Sequence, residues 1–572
     1  MTATGRIVRS RLFVIATSLL LLLLLGCQAA PAPIRSETEL ENLIKLCRVW
    51  GYVKYTHPAF LLGQKDWDEE LLAMIPQVRE LEPHEEVNAL LHNWFISLGE
   101  INCGGASSAP VIPRTEVILT DTSWTTSAAY LGDELSRDLG QLADLPYVDH
   151  ARAPIRWDDG VDIFVNEGMP PPQYEDPGFR LLGLFRLWNA MEYYFPYKDY
   201  LDQDWTLYLE EYIPRILDGT DRHSYEMAIA TLAFQLHDPH VWFEEPSPYG
   251  DRILPLFSEE LGYYFFPVPL SEAEGQLVVS GTAGDCPLER GDVLLALNGT
   301  DMDQLVEERR QYEGYPREDT VVNRMRYTTL TRSQTETMAV KVLRGGETLL
   351  FTVKGRLLSL PEKLAPQPSH QLLEGGIGLI HLALLEDAEI SEVMNSFRDT
   401  NGLIIDLREY PEGFRRYGLS AYFQIYTTPF ITTYKLSRFV PGGYTVETRS
   451  GRDFCSLAPS DVYHYDKPVV VLMNNDRTQS NAEYFVAMFS LAENVTLMGE
   501  NSAGAGGGRV YLPLPGNLKM AFSVERVTKS DGTCWFQTGI TPDIYVPRTV
   551  QGITEGRDEL MEAAMEYIVN HK

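Results

Sequence analysis

Residues 467–483, Lys-Pro-Val-Val-Val-Leu-Met-Asn-Asn-Asp-Arg-Thr-Gln-Ser-Asn-Ala-Glu, place a hydroxyl where a chain can make it react. Val469 to Met473 is a short apolar run, read as a buried strand, and it halts at Asn474-Asn475-Asp476, residues that favour turns. After Ser480 the apolar residues Ala482, Tyr484, Phe485, Ala487, Met488 and Phe489 recur with helical period. Ser480 therefore falls on a strand-to-helix elbow. Such an elbow pushes a hydroxyl out of the sheet and turns free helix N–H groups toward an oxyanion. That makes Ser480 a candidate nucleophile. A plainer reading uses the same residues: Thr478 or Ser480 caps the helix, and Glu483 completes a capping box. Local sequence leaves both open.

A serine hydroxyl is a weak nucleophile until a base takes its proton. The histidine that stands out does so through an internal repeat. Arg48-Val-Trp50 returns as Arg186-Leu-Trp188, Tyr55 as Tyr193, Pro58 as Pro196, Trp67 as Trp205, Ile75-Pro76 as Ile213-Pro214 and Leu98 as Leu236. Every pair is offset by 138 positions without a gap. A register shared by so many tryptophans and prolines marks a duplication. Both copies read as small helical bundles, 27–103 and 181–258, and the Pro-, Ser-, Thr- and Asp-rich stretch 104–180 reads as a linker. The copies differ at one informative place. The second ends Leu236-His237-Asp238-Pro239-His240, and opposite His240 the first has Asn102. An imidazole just past a helix end, fixed by an Asp and a Pro, is a reasonable mount for a general base.

The N-terminus reads as a lipoprotein leader, 1–26, to be set aside before fold reasoning. Arg6, Arg9 and Arg11 precede an apolar run, Leu12 to Leu25, too short to span a bilayer comfortably, which ends at Gly26-Cys27. Cys27 would then carry the lipid. Gln28 rather than Asp after the cysteine favours the outer membrane, facing the periplasm, if the host is a Gram-negative bacterium; an ordinary signal peptide with a different cleavage site is the alternative. A net charge of −32 with no basic stripe argues against nucleic acid. The remaining cysteines, Cys47, Cys103, Cys286, Cys455 and Cys534, are scattered, with no CxxC, so neither a zinc site nor a disulfide framework is encoded.

Residues 259–357 read as all-β with one helix. Their run Leu288-Glu-Arg-Gly291-Asp292, five apolar residues and Asn298-Gly299 resembles a PDZ module, a fold that adds an extended peptide to a sheet edge. From 358 to 572 strands alternate with helices around Ile377–Leu382, Gly402–Asp406, Val469–Met473 and Thr496–Glu500, with a helix near 387–399 and another at 481–492. That is an α/β domain with a mostly parallel core. The fold class expected is multi-domain α/β.

Taken in order, these pieces resemble the tail-specific (C-terminal processing) and tricorn-core serine peptidases. The motifs are Asp406-Leu-Arg408, Thr478-x-Ser480-x-Ala482-Glu483, Gly499-Glu500 with the glycines from Gly504 to Gly508, and Gly539-Ile540-Thr-Pro542-Asp543. The resemblance spans roughly 180–550 and implies a ClpP/crotonase-like catalytic domain. It also implies peptide-bond hydrolysis through an acyl-enzyme on Ser480. Where the tail-specific branch has its lysine, this chain has Ala505, so the likeness points to the tricorn-like branch, with His240 as base. Pro239 replaces that branch's serine beside the histidine, and Gln537 stands where its acid is expected. Backbone N–H groups of Asn481 and Gly413 are the implied oxyanion donors, and Glu483, Gln537 and Asp238 are possible supports. No cofactor and no metal are implied. Partners would be polypeptides, unfolded or C-terminal segments. The competing readings are a decayed peptidase scaffold that binds peptides or ligands, and a metal hydrolase on His237 and His240, which Pro239 disfavours.

Overall fold

The computed structural model describes residues 33–101, 116–145, 151–156, 163–246, 253–314, 320–357, 367–413, 415–437, 440–455 and 462–571. The leader, Cys27 and Asn102 lie outside the described residues. The chain mixes helical and sheet regions in a multi-domain α/β architecture.

The N-terminal region is helical: α1 (Glu37–Thr56), α2 (Trp67–Glu80), α3 (His84–Ser97), α4 (Pro177–Tyr194), α5 (Leu207–Asp218) and α6 (Arg222–Phe234). Their starts are written in the sequence. The Ser36, Asp66, Asp176 and Asp221 side chains accept N–H groups in the first turns of α1, α2, α4 and α6. The Trp50 indole donates to Trp67 O at 2.8 Å, and the Trp188 indole to Trp205 O at 2.9 Å.

Residues 104–180, expected as a linker, carry more structure than that. A strand, Glu116–Ile118, pairs with Gly443–Ser450, and a helix, Asp133–Gln141, buries Leu135 and Leu139 in the helical core. Leu131, Leu135 and Leu139 make a helical apolar stripe that the segment's polar composition masks. Glu167, also from this segment, is buried between the two sets of helices, 2.5 Å from Lys54 Nζ and 3.1 Å from Arg186 Nε.

Two sheets follow. The first has the order β7-β6-β5-β4-β3, from β3 (Leu270–Ala273), β4 (Gln276–Val279), β5 (Val293–Leu297), β6 (Thr337–Arg344) and β7 (Glu347–Lys354), with Thr300–Asp301 paired to β5. Asp292 is buried and accepts from Arg344 Nε at 2.6 Å and Glu289 N at 2.8 Å, so this acid holds its own turn together. A short helix, α7 (Val321–Thr328), lies between β5 and β6.

The second sheet is β8 (His370–Leu373), β9 (Ile377–His381), β10 (Gly402–Asp406), β11 (Val469–Met473), β12 (Val495–Gly499) and β15 (Ile544–Tyr545). It is parallel throughout except at β8. β11 is apolar at every position because both faces are covered. Val469, Val471 and Met473 pack with α9 (Asn481–Phe489), while Val470 and Leu472 pack with Leu560, Ala564 and Ile568 of α10 (Glu559–Asn570). The helix expected near 387–399 is a short turn followed by α8 (Ile390–Ser396).

The join that matters for function is a small antiparallel sheet. β1 (Trp242–Pro246), the first strand after α6, pairs with β2 (Ile253–Pro255) on one side and with β14 (Leu518–Ser523) on the other, and β14 forms a hairpin with β13 (Arg509–Leu514). The hairpin's Val510, Leu512, Leu514, Leu518, Met520 and Phe522 are buried in the same core as the helices. Arg186 Nη1 donates to Pro513 O at 3.1 Å and Tyr225 OH to Pro515 O at 2.9 Å, which clamps the hairpin to the helical region.

Candidate active site

β11 delivers the chain to the elbow, and Asn474 shapes the turn. Its side-chain oxygen accepts from the N–H groups of Asp476, Arg477 and Thr478 at 3.2, 2.8 and 3.1 Å. Thr478 is committed to structure, since its hydroxyl donates to Leu407 O at 3.0 Å and accepts from Asn474 N at 2.9 Å. Ser480 is not in an ordinary capping conformation. Its φ of 50° and ψ of −116° differ from the extended backbone of a usual N-cap, a strain expected of a reactive elbow.

The two readings of this motif turn out to be compatible. Glu483 does accept from the Ser480 N–H, at 3.0 Å, as in a capping box. Its other oxygen accepts from Ser502 Oγ at 2.6 Å and Gly504 N at 2.7 Å, so one fully buried carboxyl fastens the elbow to the glycine loop. Burial pushes its pKa up to about 7, against the pull of those three donors.

His240 sits in the turn between α6 and β1. Since Trp242 pairs with Ala521 and Phe243 with Met520, extending the register puts His240 opposite Ser523. His240 Nδ1 lies 2.8 Å from Ser523 Oγ. Asp238, buried beneath, accepts from His240 N at 2.9 Å, Ser523 N at 2.7 Å and Ser523 Oγ at 2.9 Å. Burial lowers the His240 pKa; Asp238 pulls it back up, while Arg509 and Arg324 push it further down. The imidazole's contacts thus lead to Asp238 and Ser523, and in this structure it makes no hydrogen bond to the Ser480 hydroxyl.

A single helix ties the two pieces together. On α7, Arg324 donates to Pro239 O at 2.9 Å and Val241 O at 2.8 Å, bracketing His240. Asn323 reaches Asn475 Oδ1 at 3.1 Å and Arg326 reaches Asp476 Oδ2 at 2.6 Å, gripping the turn before Ser480. Sequence reasoning missed Asn323, Arg324, Arg326 and Ser523. Asn-Arg-Met-Arg reads as an ordinary polar helix face, and Ser523 as a residue of an amphipathic strand.

The Asn481 side chain holds the other wall. Its Nδ2 donates to Pro411 O and Gly413 O, both at 2.9 Å, while its Oδ1 accepts from the buried Tyr417 OH at 2.9 Å. Gly413, at φ +81°, is thereby drawn to the start of α9. Gln537 lies on the Glu483 side of the elbow, its N–H donating to Gly504 O at 3.1 Å. Glu500 pairs with Arg548 at 3.1 Å and Asp543 accepts from Leu497 N at 2.8 Å, both structural contacts.

A cleft of about 2820 Å³ opens between residues 265–271 and the loops after β9, β10 and β11. Gly413, Asn474 and Arg477 line it, which brings it alongside the elbow, although Ser480 and His240 are not in its wall. Among the described residues no group of three or more His, Cys, Asp or Glu could hold a metal ion. His237 points away from His240, to Asp202 at 3.0 Å. Among the described residues, Cys47, Cys286, Cys455 and Cys534 form no disulfide.

Residues 376–546 match Peptidase family S41. Mature CPAF complexed with lactacystin superposes with a TM-score of 0.50 at 15% identity, covering 69% of this chain and 97% of that one. A mutant of CPAF gives a TM-score of 0.51 at 14% identity, over 69% and 98%. The photosystem II D1 C-terminal processing protease aligns at 17% identity over 67% and 98%, with a TM-score of 0.36. No curated relative matches in sequence. At these identities the CPAF structures speak to the fold, and the family match covers the sheet, the Ser480 elbow and the glycine loop. Over residues 376–546 the protein thus carries a domain that matches Peptidase family S41, and it is a serine-type peptidase.

Proposed function

We propose that this is a processing peptidase that cleaves polypeptides through an acyl-enzyme on Ser480, with His240 as general base. The observation that carries the reading is the β1–β14 pairing. It brings an imidazole from the helical region into the domain of a strained serine, and among the described residues its Nε2 has no hydrogen-bond partner. Burial holds the ring neutral at physiological pH, the form a base needs.

In this scheme Ser480 Oγ attacks the scissile carbonyl as its proton passes to His240 Nε2. The oxyanion is held by the N–H groups of Asn481 and Gly413. The imidazolium then returns the proton to the leaving amine as the C–N bond breaks. Water, deprotonated by the same ring, releases the acid product and restores Ser480. The Ser480–His240 contact forms when substrate closes the site, since catalytic hydrogen bonds are often long without substrate.

The wider arrangement belongs to the same proposal. Residues 27–103 and 181–258 are duplicated helical units, the second carrying the base. Residues 259–357 are a PDZ-like module presenting unfolded or C-terminal segments to the cleft, and 358–572 is the catalytic domain. Lipidated Cys27 anchors the protein in a bacterial envelope, on the periplasmic face of the outer membrane in a Gram-negative host.

A fluorophosphonate probe tests the chemistry. Wild type should label and cleave an unstructured peptide, whereas Ser480→Ala should do neither and His240→Ala should lose about 10²-fold or more. A folded, unlabelled wild type would leave the protein a peptide-binding scaffold.

A further inference from the structure

We infer that Ser523 and Asp238 form the relay that orients His240, so that the charge supporting the base comes from its own loop and not from position 537. This rests on the assignment of Ser480 and His240 above. The argument is one of proton counting. Asp238 accepts from Ser523 N at 2.7 Å, Ser523 Oγ at 2.9 Å and His240 N at 2.9 Å. A carboxylate has no proton to give, so the one hydroxyl proton of Ser523 goes to Asp238. Toward His240 the Ser523 oxygen therefore offers only lone pairs, and at 2.8 Å the ring nitrogen must be the donor. Nδ1 carries the proton, and Nε2 is left with its lone pair. That is the tautomer a base needs.

When Ser480 gives up its proton, Nε2 gains it and no proton leaves Nδ1. The positive charge on the ring is then met by Asp238, whose Oδ1 is 3.8 Å from Nδ1, across the polarised Ser523 hydroxyl. Ser523 is fully buried and Asp238 nearly so, where such a chain is stronger than in water. Position 537 has no charge to offer, and its backbone is tied to the glycine loop. Ser523 and Asp238 are positioning residues: they act through the ring.

The test uses the full chain with Ser523→Ala, Ser523→Thr and Asp238→Asn, bracketed by wild type and Ser480→Ala. Fluorophosphonate labelling rates are followed across the imidazole titration, and ¹⁵N-histidine spectra report the tautomer. Ser523→Ala should slow labelling at least about tenfold, and Ser523→Thr should restore most of it, because only the hydroxyl matters. Asp238→Asn should move the acid limb to lower pH, since that carboxylate raises the His240 pKa. An alanine variant that labels at the wild-type rate with an unmoved acid limb overturns the relay, as does a threonine variant no better than alanine. The spectra keep the two ideas apart. A wild type that fails to label sinks the peptidase assignment, whereas an Nε2–H tautomer at His240 sinks the relay whatever the labelling result.

Discussion

Asn481→Ala probes the site without touching either reacting residue. The side chain makes three hydrogen bonds, to Pro411 O, to Gly413 O and from Tyr417 OH, each at 2.9 Å. At about 1 kcal/mol apiece the loss is roughly 3 kcal/mol, and the buried Tyr417 hydroxyl left unpaired keeps it from being smaller. The catalytic effect has a separate origin. The variant keeps the residue-481 N–H but frees the turn that holds Gly413. If that turn supplies an oxyanion donor, its drift removes about 2.7–4 kcal/mol of transition-state stabilisation, or about 10²–10³ in kcat. The assays are steady-state cleavage of a fluorogenic peptide and a denaturant titration of the same preparation. We expect kcat to fall by about two orders of magnitude with KM little changed. Asn481→Asp is the control: it keeps an acceptor for Tyr417 but sets a carboxylate oxygen against two carbonyls, and should be no better. A variant that loses stability yet keeps wild-type kcat would refute the assignment of Gly413.

The acid limb of kcat/KM should lie below the ordinary imidazole value of 6.5, because burial lowers the His240 pKa and keeps the base neutral as pH falls; a limb at or above that value would contradict the geometry. Arg324→Ala frees the carbonyls on either side of His240 and should lower kcat more than it raises KM; equal kcat would make α7 a mere spacer. Glu483 has a native pKa raised from 4.5 to about 7, so the stability it contributes is present below about pH 4.5 and lost as pH rises through 7. The stability gap between wild type and Glu483→Gln should therefore shrink by a few kcal/mol over that window, read from urea midpoints, and a constant gap would place the carboxyl's pKa elsewhere.

The elbow was legible from local sequence because everything that defines it is local. An apolar strand, turn-forming Asn474 and a helix with Glu483 three residues in allow few other geometries. Both readings of the motif keep a structural footing: Glu483 accepts from the Ser480 N–H as a cap would, and Ser480 itself takes a strained φ. The caps of α1, α2, α4 and α6 are local in the same way, since a capping side chain acts within its own first turn. Residues 104–180 misled because averaged polarity hid Leu131, Leu135 and Leu139, whose meaning appears only at helical spacing.

The sequence alone nominates the candidate reacting groups: a serine at an elbow, and a histidine present in one copy of a repeat and absent from the other. Their support came only with the tertiary structure. His240 and Ser523 are 283 positions apart, and they meet because β1 happens to pair with β14 in one register. No local pattern encodes that pairing. It follows from how the hairpin and the helices bury a shared apolar surface, and one step of slippage would turn Ser523 to the other face of its strand.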